Sequence, residues 1–310
     1  MPRKKDHKTR PSVSIIGFGR LGQALAIALR SADYPILAVV ARRAAKARKG
    51  LLSLRRDNSA VALSADQLEQ LPTTDLILIA TPDDVIEETA RRLAAIEIGR
   101  TKLARTRRRT VLHTSGALSS EVLSPLKQVG FHTGSLHPLV SVSEARAGAK
   151  ALREAFYCLE GELAAMRVAR LIVHDLEGTG FSIPSERKAL YHAAAVMASP
   201  HVIALFDLAT EMLSACGLSR KRAREALLPL LESTVNNLMV SDPAKALTGT
   251  FARGDLATVK KHLVALSELS RDGHDEALEV YRLLGLHSLK LAEKNKLDPQ
   301  LLEQIRKLLN

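Results

Sequence analysis

A glycine-rich turn near the start of the chain constrains the fold most strongly. Residues 12–17 form an apolar run typical of a buried strand, and they lead directly into Gly17-Phe18-Gly19-Arg20-Leu21-Gly22 and an Ala/Leu-rich helical pattern. In a G-x-G-x-x-G turn, the first glycine permits a tight bend, the second admits a diphosphate, and the third lets helix and strand pack closely. The N–H groups at the helix N-terminus favour an anion. The motif predicts a dinucleotide site made by these six residues.

Strand and helix patterns alternate as far as residue 183. Strands are predicted at residues 12–17, 36–41, 61–63, 75–80, 110–113, 131–136, 155–160 and 180–183. This alternation predicts an α/β fold with a doubly wound, mainly parallel Rossmann sheet. After Pro184 only helical patterns occur, and Pro200 should kink the first long helix. We expect a basic disordered tail at residues 1–10, a Rossmann domain at residues 11–180 and an all-helical domain at residues 181–310.

Composition excludes several classes of protein. A hydrophobic share of 46% in 310 residues supports real cores. No apolar stretch is expected to reach the roughly 18 residues of a membrane span. Cys158 and Cys216 lie far apart without metal-ligand spacing, so we expect no disulfide framework, no metal site and a cytoplasmic location.

The net charge of +12 is concentrated in three segments. Residues 1–10, 41–56 and 100–109 carry net charges of +4, +7 and +6, which leaves −5 for the rest of the chain. We expect the first and third segments, including Arg107, Arg108 and Arg109, to be solvated surface. This local charge and an aromatic share of only 3% argue against a nucleic-acid-binding protein.

The second basic segment bears on which dinucleotide binds. An NAD enzyme usually has an acidic residue at the end of the second strand, where it accepts hydrogen bonds from the ribose hydroxyls. This chain has Arg42 and Arg43 there. Guanidinium groups bind a 2′-phosphate, whereas a carboxylate repels it. The sequence therefore favours NADP, and the alternative is that both arginines are surface charges.

Polar residues follow three neighbouring strands of the predicted sheet. Thr81 and Pro82 follow the fourth strand, Ser115 follows the fifth, and His137 follows the sixth. In open α/β sheets, ligands bind beyond the carboxyl ends of the strands. We therefore expect Thr81, Pro82 and Ser115 to contact the cofactor and His137 to be catalytic, although turn chemistry alone could explain these residues.

The first long helix adds two candidate catalytic residues. Lys188 and His192 are spaced i, i+4 and so share one helix face, with Tyr191 nearby. Such a pair could donate a proton or a hydrogen bond to an acceptor atom that gains negative charge as a hydride arrives. The alternative is a solvated lysine beside a histidine with a structural hydrogen bond. Ser199, Asn237 and Arg253 are candidate substrate-binding residues, and Asp255 is a candidate helix N-cap.

These segments resemble a known family, the Rossmann-like proteins whose C-terminal half is the domain of unknown function 2520. The matching residues are Gly17–Gly22, residues 135–139, residues 188–196, and residues 246–255 with Thr258, Lys261, His262 and Leu263. Family members are described as proposed NADP oxidoreductases, some as deazaflavin-dependent. The chain is more distantly similar to ketopantoate reductase, pyrroline carboxylate reductase and β-hydroxyacid dehydrogenases. The resemblance implies a homodimer through the helical domains. Ser199 or Pro200 stands where the family has Asn, and Thr250 where it has Pro.

Residues and resemblance together predict an NADP(H)-dependent oxidoreductase. We expect it to transfer a hydride to or from a small carbonyl, hydroxy-acid or imine substrate in a cleft between the two domains. One alternative is a non-catalytic NADP-binding sensor or interaction protein, which would not need Lys188, His192 and His137 together. A weaker alternative is a nucleic-acid-binding protein that uses the basic segments. Membrane partners are not expected.

Overall fold

An eight-stranded sheet organises the first half of the chain. A computed structural model describes residues 10–52, 60–99, 108–271 and 275–310. They fall into two compact units, residues 1–199 and 200–310, which are described separately below. The first unit includes the helix that follows the last strand and ends at Ser199. The division into tail, Rossmann and helical domains stays a prediction.

The sheet has the doubly wound topology that the sequence predicts. Its strand order is β3-β2-β1-β4-β5-β6-β7-β8, and all neighbours are parallel except β6 and β7. The strands are β1 (Val13–Ile16), β2 (Ile36–Ala41), β3 (Val61–Ser64), β4 (Leu76–Ile79), β5 (Thr110–His113), β6 (His132–Pro138), β7 (Phe156–Gly161) and β8 (Thr179–Phe181). Ile16 of β1 lies level with Val40 of β2 and Ile79 of β4, so these strands end at one edge.

Helices cover both faces of the sheet. In this unit they are α1 (Arg20–Ser31), α2 (Ala44–Leu52), α3 (Asp83–Gly99), α4 (Ser124–Gln128), α5 (Ala145–Ala151), α6 (Leu163–Asp175) and α7 (Lys188–Ala198). Ile15 belongs to the core cluster that includes α1 and α6, whereas the next residue, Ile16, belongs to the cluster that includes α3. Because both faces are buried, the central strands read as continuous apolar runs in the sequence.

The second unit consists of helices and their connections, with no strand among its described residues. Its helices are α8 (Pro200–Ala215), α9 (Arg220–Val240), α10 (Pro243–Ala246), α11 (Gly249–Arg253), α12 (Leu256–Arg271), α13 (Asp275–Lys294) and α14 (Pro299–Leu309). Its core includes Val259, Leu289 and Ile305. The predicted N-cap at Asp255 is confirmed, since its carboxylate accepts hydrogen bonds from the N–H and hydroxyl of Thr258. The segment 246–255, which carries part of the family resemblance, contains the short helix α11.

The structure corrects one prediction about membranes. Among the described residues, one helical segment, Ser185–Ala215, is long and apolar enough to cross a membrane by length and composition. The sequence predicts no apolar stretch of that length, and this prediction is wrong for Ser185–Ala215. A single such helix is weak evidence for membrane insertion, and α7 ends at Ala198 before α8 begins at Pro200. The break agrees with the predicted kink, because proline lacks the N–H that a continuous helix needs. A cytoplasmic location stays a prediction.

Two arginines predicted to be solvated have defined partners. Arg109 is only 8% exposed, and its guanidinium donates to Glu97 and to the Thr74 carbonyl oxygen while lying over the Phe131 ring. The prediction of a solvated charge was therefore wrong for Arg109. Arg10, the last residue of the predicted tail, forms an ion pair with Asp175 at 2.7 Å. Arg107 and residues 1–9 lie outside the described residues.

Candidate functional site

The glycine turn between β1 and α1 has the geometry of an anion site. Gly17 has φ +97°, and a Cβ there would lie 2.4 Å from the Ala80 carbonyl carbon. A Cβ on Gly22 would lie 2.1 Å from the Gly17 carbonyl oxygen, whereas one on Gly19 would meet nothing within 4 Å. Gly19 caps α1 without a side-chain hydrogen bond, and the first turn of α1 contains no acidic residue. The first and third glycines therefore permit the fold, and the second leaves open space at a helix N-terminus, as a diphosphate requires.

The other residues predicted to bind the cofactor near this turn differ in how far their side chains are exposed to solvent. Arg42 and Arg43 are exposed directly after β2. Phe18 is 1% exposed, and its ring packs beside Gly50 while its N–H bonds to the Val40 carbonyl oxygen. The Phe18 side chain thus belongs to the core and is not available to a cofactor. Leu21 is half-buried against the same core.

The ends of β4 and β5 form a tightly bonded loop. The Ser115 hydroxyl donates to an Asp83 carboxylate oxygen at 2.7 Å and accepts the N–H groups of Ala117 and Leu118. These bonds occupy Ser115, so its side chain holds the loop in shape. By contrast, the Thr81 hydroxyl oxygen is buried without a hydrogen-bond partner among the described residues. Pro82 is exposed beside it.

His113, at the end of β5, forms hydrogen bonds to this loop and was not predicted as a site residue. Its Nδ1 accepts the Ser115 N–H at 3.2 Å, and its Nε2 lies 3.1 Å from the Ser119 carbonyl oxygen. Burial, together with the nearby Lys188 ammonium, lowers the pKa of His113 to about 3. The neutral ring therefore accepts at Nδ1 and donates at Nε2. The sequence feature that could have identified His113 is its position at the end of a buried strand, two residues before Ser115.

Lys188 lies at the start of α7 and is fully buried. Its ammonium donates to the Ser115 carbonyl oxygen at 3.1 Å and to the Ser135 hydroxyl at 2.5 Å. Burial lowers the pKa of Lys188, and the neighbouring Cys158, Glu160 and Asp83 oppose that shift. Lys188 thus links the loop after β5 to strand β6 through hydrogen bonds, and its side chain is not exposed to solvent.

His137, Tyr191 and His192 form a cluster around Gly116. A Cβ on Gly116 would lie 2.4 Å from the His192 Nδ1 and 2.8 Å from the His137 Nε2. The rings of His137 and His192 lie 5.6 Å apart, edge to face. The His192 Nδ1 is buried without a hydrogen-bond partner among the described residues. Burial, followed by the proximity of His192 and Lys188, lowers the pKa of His137 to about 4. Two imidazoles therefore converge on one backbone position at the C-terminal edge of the sheet.

The structure brings the three predicted catalytic residues together in the first unit. His137, Lys188 and His192 all adjoin the loop that carries Ser115 and Gly116. Ser199 is the C-cap of α7. Asn237 and Arg253 are exposed residues of the second unit, so their role in substrate binding stays a prediction.

Comparison with known proteins agrees with this architecture. Residues 3–138 match the Rossmann-like domain, and residues 155–288 match DUF2520, a domain of unknown function. The chain therefore carries both domains, and the resemblance inferred from the sequence is confirmed. No curated protein sequence matches the chain.

Solved structures share the fold over nearly the whole length. Protein TM1727 from Thermotoga maritima is 22% identical with a TM-score of 0.67, and the match covers 92% of this chain and 99% of that one. The proposed NADP oxidoreductase BF3122 from Bacteroides fragilis is 23% identical with a TM-score of 0.69 and the same coverage. Pyrroline carboxylate reductase from Plasmodium falciparum, solved with NADP bound, is 12% identical with a TM-score of 0.53, over 97% and 99% of the two chains. These matches establish the fold.

Proposed function

We propose that this protein is an NADP(H)-dependent oxidoreductase acting on a small carbonyl, hydroxy-acid or imine compound. The observation that carries the proposal is the pairing of two features at one edge of the sheet. One is the open glycine turn at the N-terminus of α1, and the other is the histidine cluster at Gly116. The similarity to solved proteins described as NADP oxidoreductases, or solved with NADP bound, supports this assignment.

Gly17, Gly19 and Gly22 would hold the diphosphate, with Arg20 and Leu21 in the first turn of α1 beside it. Arg42 and Arg43 would bind the 2′-phosphate, since both are exposed and directly follow β2. Thr81 would supply a hydroxyl that lacks a partner within the described protein. Pro82 and the Ser115 loop would line the nicotinamide end. A bound nicotinamide supplies or accepts the hydride.

His137 and His192 would contact the substrate. Hydride transfer to a carbonyl or imine builds negative charge on the acceptor atom, which needs a hydrogen bond or proton at that moment. The imidazoles at Gly116 are placed to donate it. Lys188 would act through its bonds to Ser115 and Ser135, and its charge would add a favourable potential for an anionic acceptor.

Calorimetric titration tests the cofactor assignment. We expect NADPH to bind more tightly than NADH, and the Arg42→Ala, Arg43→Ala double variant to lose about 2–4 kcal/mol of that preference, from charge-assisted bonds of about 1.5–3 kcal/mol each before non-additivity. Arg91, whose ion pair with Glu87 is exposed on α3, offers a matched control as Arg91→Ala. Equal affinities of the wild-type protein for the two cofactors would contradict the assignment.

Measuring substrate turnover tests the proposed roles of His192 and Lys188. Purified protein is screened for NADPH oxidation against pooled keto acids and imines, and the active substrate is then used with His192→Ala and Lys188→Met. Loss of a proton or hydrogen-bond donor at the reacting atom typically costs about 100-fold in rate. NADPH affinity should change little, and His174→Ala, on a side chain 86% exposed, should retain activity. Near wild-type turnover in His192→Ala and Lys188→Met would contradict these roles, and NADPH binding without turnover would favour a sensor.

A homodimer through the helical unit is the second part of the proposal. Helices α8 and α9 pack together, yet both leave large apolar side chains exposed. On α9, Leu230, Met239 and Val240 are 64%, 78% and 82% exposed. Large apolar side chains left exposed on neighbouring helices are a feature of protein interfaces. A second copy of the chain is the partner that the family resemblance implies.

A further inference from the structure

Tyr191 makes a contact that the proposed chemistry has not yet used. Its hydroxyl oxygen lies 2.7 Å from the His137 Nδ1, and its ring also packs edge to face against Phe181. Cys158 of β7, which is fully buried, lies close enough to the hydroxyl to interact with it. Tyr191 therefore contacts the His137 Nδ1, whereas Nε2 and Cε1 are the His137 atoms nearest to the Gly116 position.

The direction of this hydrogen bond follows from the two groups it joins. Burial, together with the proximity of Cys158, raises the pKa of Tyr191, so the phenol keeps its proton at neutral pH. The pKa of His137 is about 4, so the ring is neutral and carries one N–H. Two acceptors lie beside the phenol, the His137 Nδ1 and the Cys158 sulfur, and the imidazole nitrogen is the stronger because a thiol is only a weak acceptor. Tyr191 consequently donates and the Nδ1 accepts.

The opposite ring nitrogen is then fixed as the donor. A neutral imidazole that accepts at Nδ1 must carry its proton on Nε2. Among the described residues, the hydrogen bond of the His137 ring is at Nδ1, and Nε2 lies 2.8 Å from the position that a Cβ on Gly116 would take. The groups facing His137 also favour a neutral ring, because Lys188 and His192 both disfavour added positive charge there.

We propose that Tyr191 holds His137 as the Nε2–H tautomer and thereby aims a neutral N–H donor at the acceptor atom of the substrate. Tyr191 is a positioning residue that acts through His137. The inference rests on the proposed function for the identity of the acceptor atom, a carbonyl or imine that becomes more basic as the hydride arrives. The tautomer itself depends only on contacts within the protein.

Two-bond ¹H–¹⁵N correlation spectra of histidine-labelled protein read the tautomer without cofactor or substrate. His137→Gln identifies the His137 signals. At pH 7 we expect an unprotonated Nδ1 and a protonated Nε2 in the wild type, and a mixture of tautomers in Tyr191→Phe. Tyr281→Phe is a matched control, because the Tyr281 hydroxyl lies 2.8 Å from the His262 Nδ1 in the second unit. It should alter His262 and leave His137 unchanged.

Turnover and binding separate this inference from the proposed function. With an active substrate, Tyr191→Phe should lower kcat about 10- to 100-fold while NADPH affinity stays within about twofold. A wild-type His137 protonated at Nδ1 would overturn the inference, whether or not Tyr191→Phe folds, and so would an unchanged tautomer in a folded Tyr191→Phe. If the tautomer is as expected but no NADPH binds, the proposed function alone fails.

Discussion

His113 makes the loop above it sensitive to acid. The neutral ring accepts the Ser115 N–H at Nδ1 and can donate to the Ser119 carbonyl oxygen at Nε2. In a protonated ring both nitrogens carry a hydrogen, so Nδ1 can no longer accept the Ser115 N–H. The two N–H groups would then face each other at a residue that is 0% exposed. Protonation of His113 should therefore require the loop after β5 to open, and that loop carries Gly116 and the carbonyl oxygen bound by Lys188.

The size of the effect follows from proton linkage. In the unfolded chain His113 binds a proton near its ordinary pKa of 6.5, whereas in the folded protein it does so only near pH 3. Because the folded pKa is depressed, the stabilisation is complete above pH 6.5 and is lost as pH falls toward 3. Between pH 7 and pH 5 the loss is about 2 kcal/mol.

Urea unfolding followed by far-ultraviolet circular dichroism measures this loss, since the chain has no tryptophan. His113→Gln should be less stable than the wild type at pH 7. It should lose about 2 kcal/mol less than the wild type between pH 7 and pH 5. The contribution of His137 is present in both proteins and cancels in the difference. His174→Gln, at an exposed position on α6, should follow the wild type. Parallel losses in wild type and His113→Gln would refute this account of the loop.

Three further outcomes are expected. Deletion of residues 2–9 should leave the Tm and NADPH affinity nearly unchanged, whereas Arg10→Ala should lower stability by about 1 kcal/mol in thermal unfolding, because Asp175 loses its ion pair; a large effect of the deletion would show that the tail docks on the fold. Gly22→Ala should abolish NADPH binding in calorimetry, since its Cβ would lie 2.1 Å from the Gly17 carbonyl oxygen, and retained affinity would contradict the turn geometry. Met239→Glu on α9 should shift a dimer toward monomer in light scattering, whereas Leu283→Glu on α13, an equally apolar position that is 69% exposed, should not; an unchanged mass for Met239→Glu would exclude this face as the interface.

Strands β1, β2 and β4 were predictable because each is a short, mostly apolar run. The predicted and observed bounds agree for β2 and β5, at residues 36–41 and 110–113. The short helices α5, α10 and α11 were not predicted, since four to seven residues provide little more than one or two turns of periodicity. Arg109 was misjudged for a related reason. A run of arginines indicates solvent, and only the fold brings Glu97 and Phe131 to one of them.

The hydrogen bonds within the site could not be predicted from sequence patterns. The i, i+4 spacing of Lys188 and His192 correctly places both on one side of α7, but it does not distinguish a buried ammonium from an exposed one. The residues that decide this, Ser115 and Ser135, lie 73 and 53 positions away from Lys188. Likewise His137 and Tyr191 are 54 positions apart, so their hydrogen bond leaves no local periodicity.

The loop after β5 explains why these distant residues form one site. Asp83 holds the Ser115 hydroxyl, His113 holds the Ser115 N–H, and Lys188 holds the Ser115 carbonyl oxygen. With all three polar groups of Ser115 occupied, the backbone of the next residue, Gly116, has a fixed position. Because Gly116 has no Cβ, the His137 ring from β6 and the His192 ring from α7 can both lie close to its backbone. A change at Ser115 should therefore alter the geometry of His137 and His192 together, although the described hydrogen bonds of the Ser115 hydroxyl go to Asp83, Ala117 and Leu118.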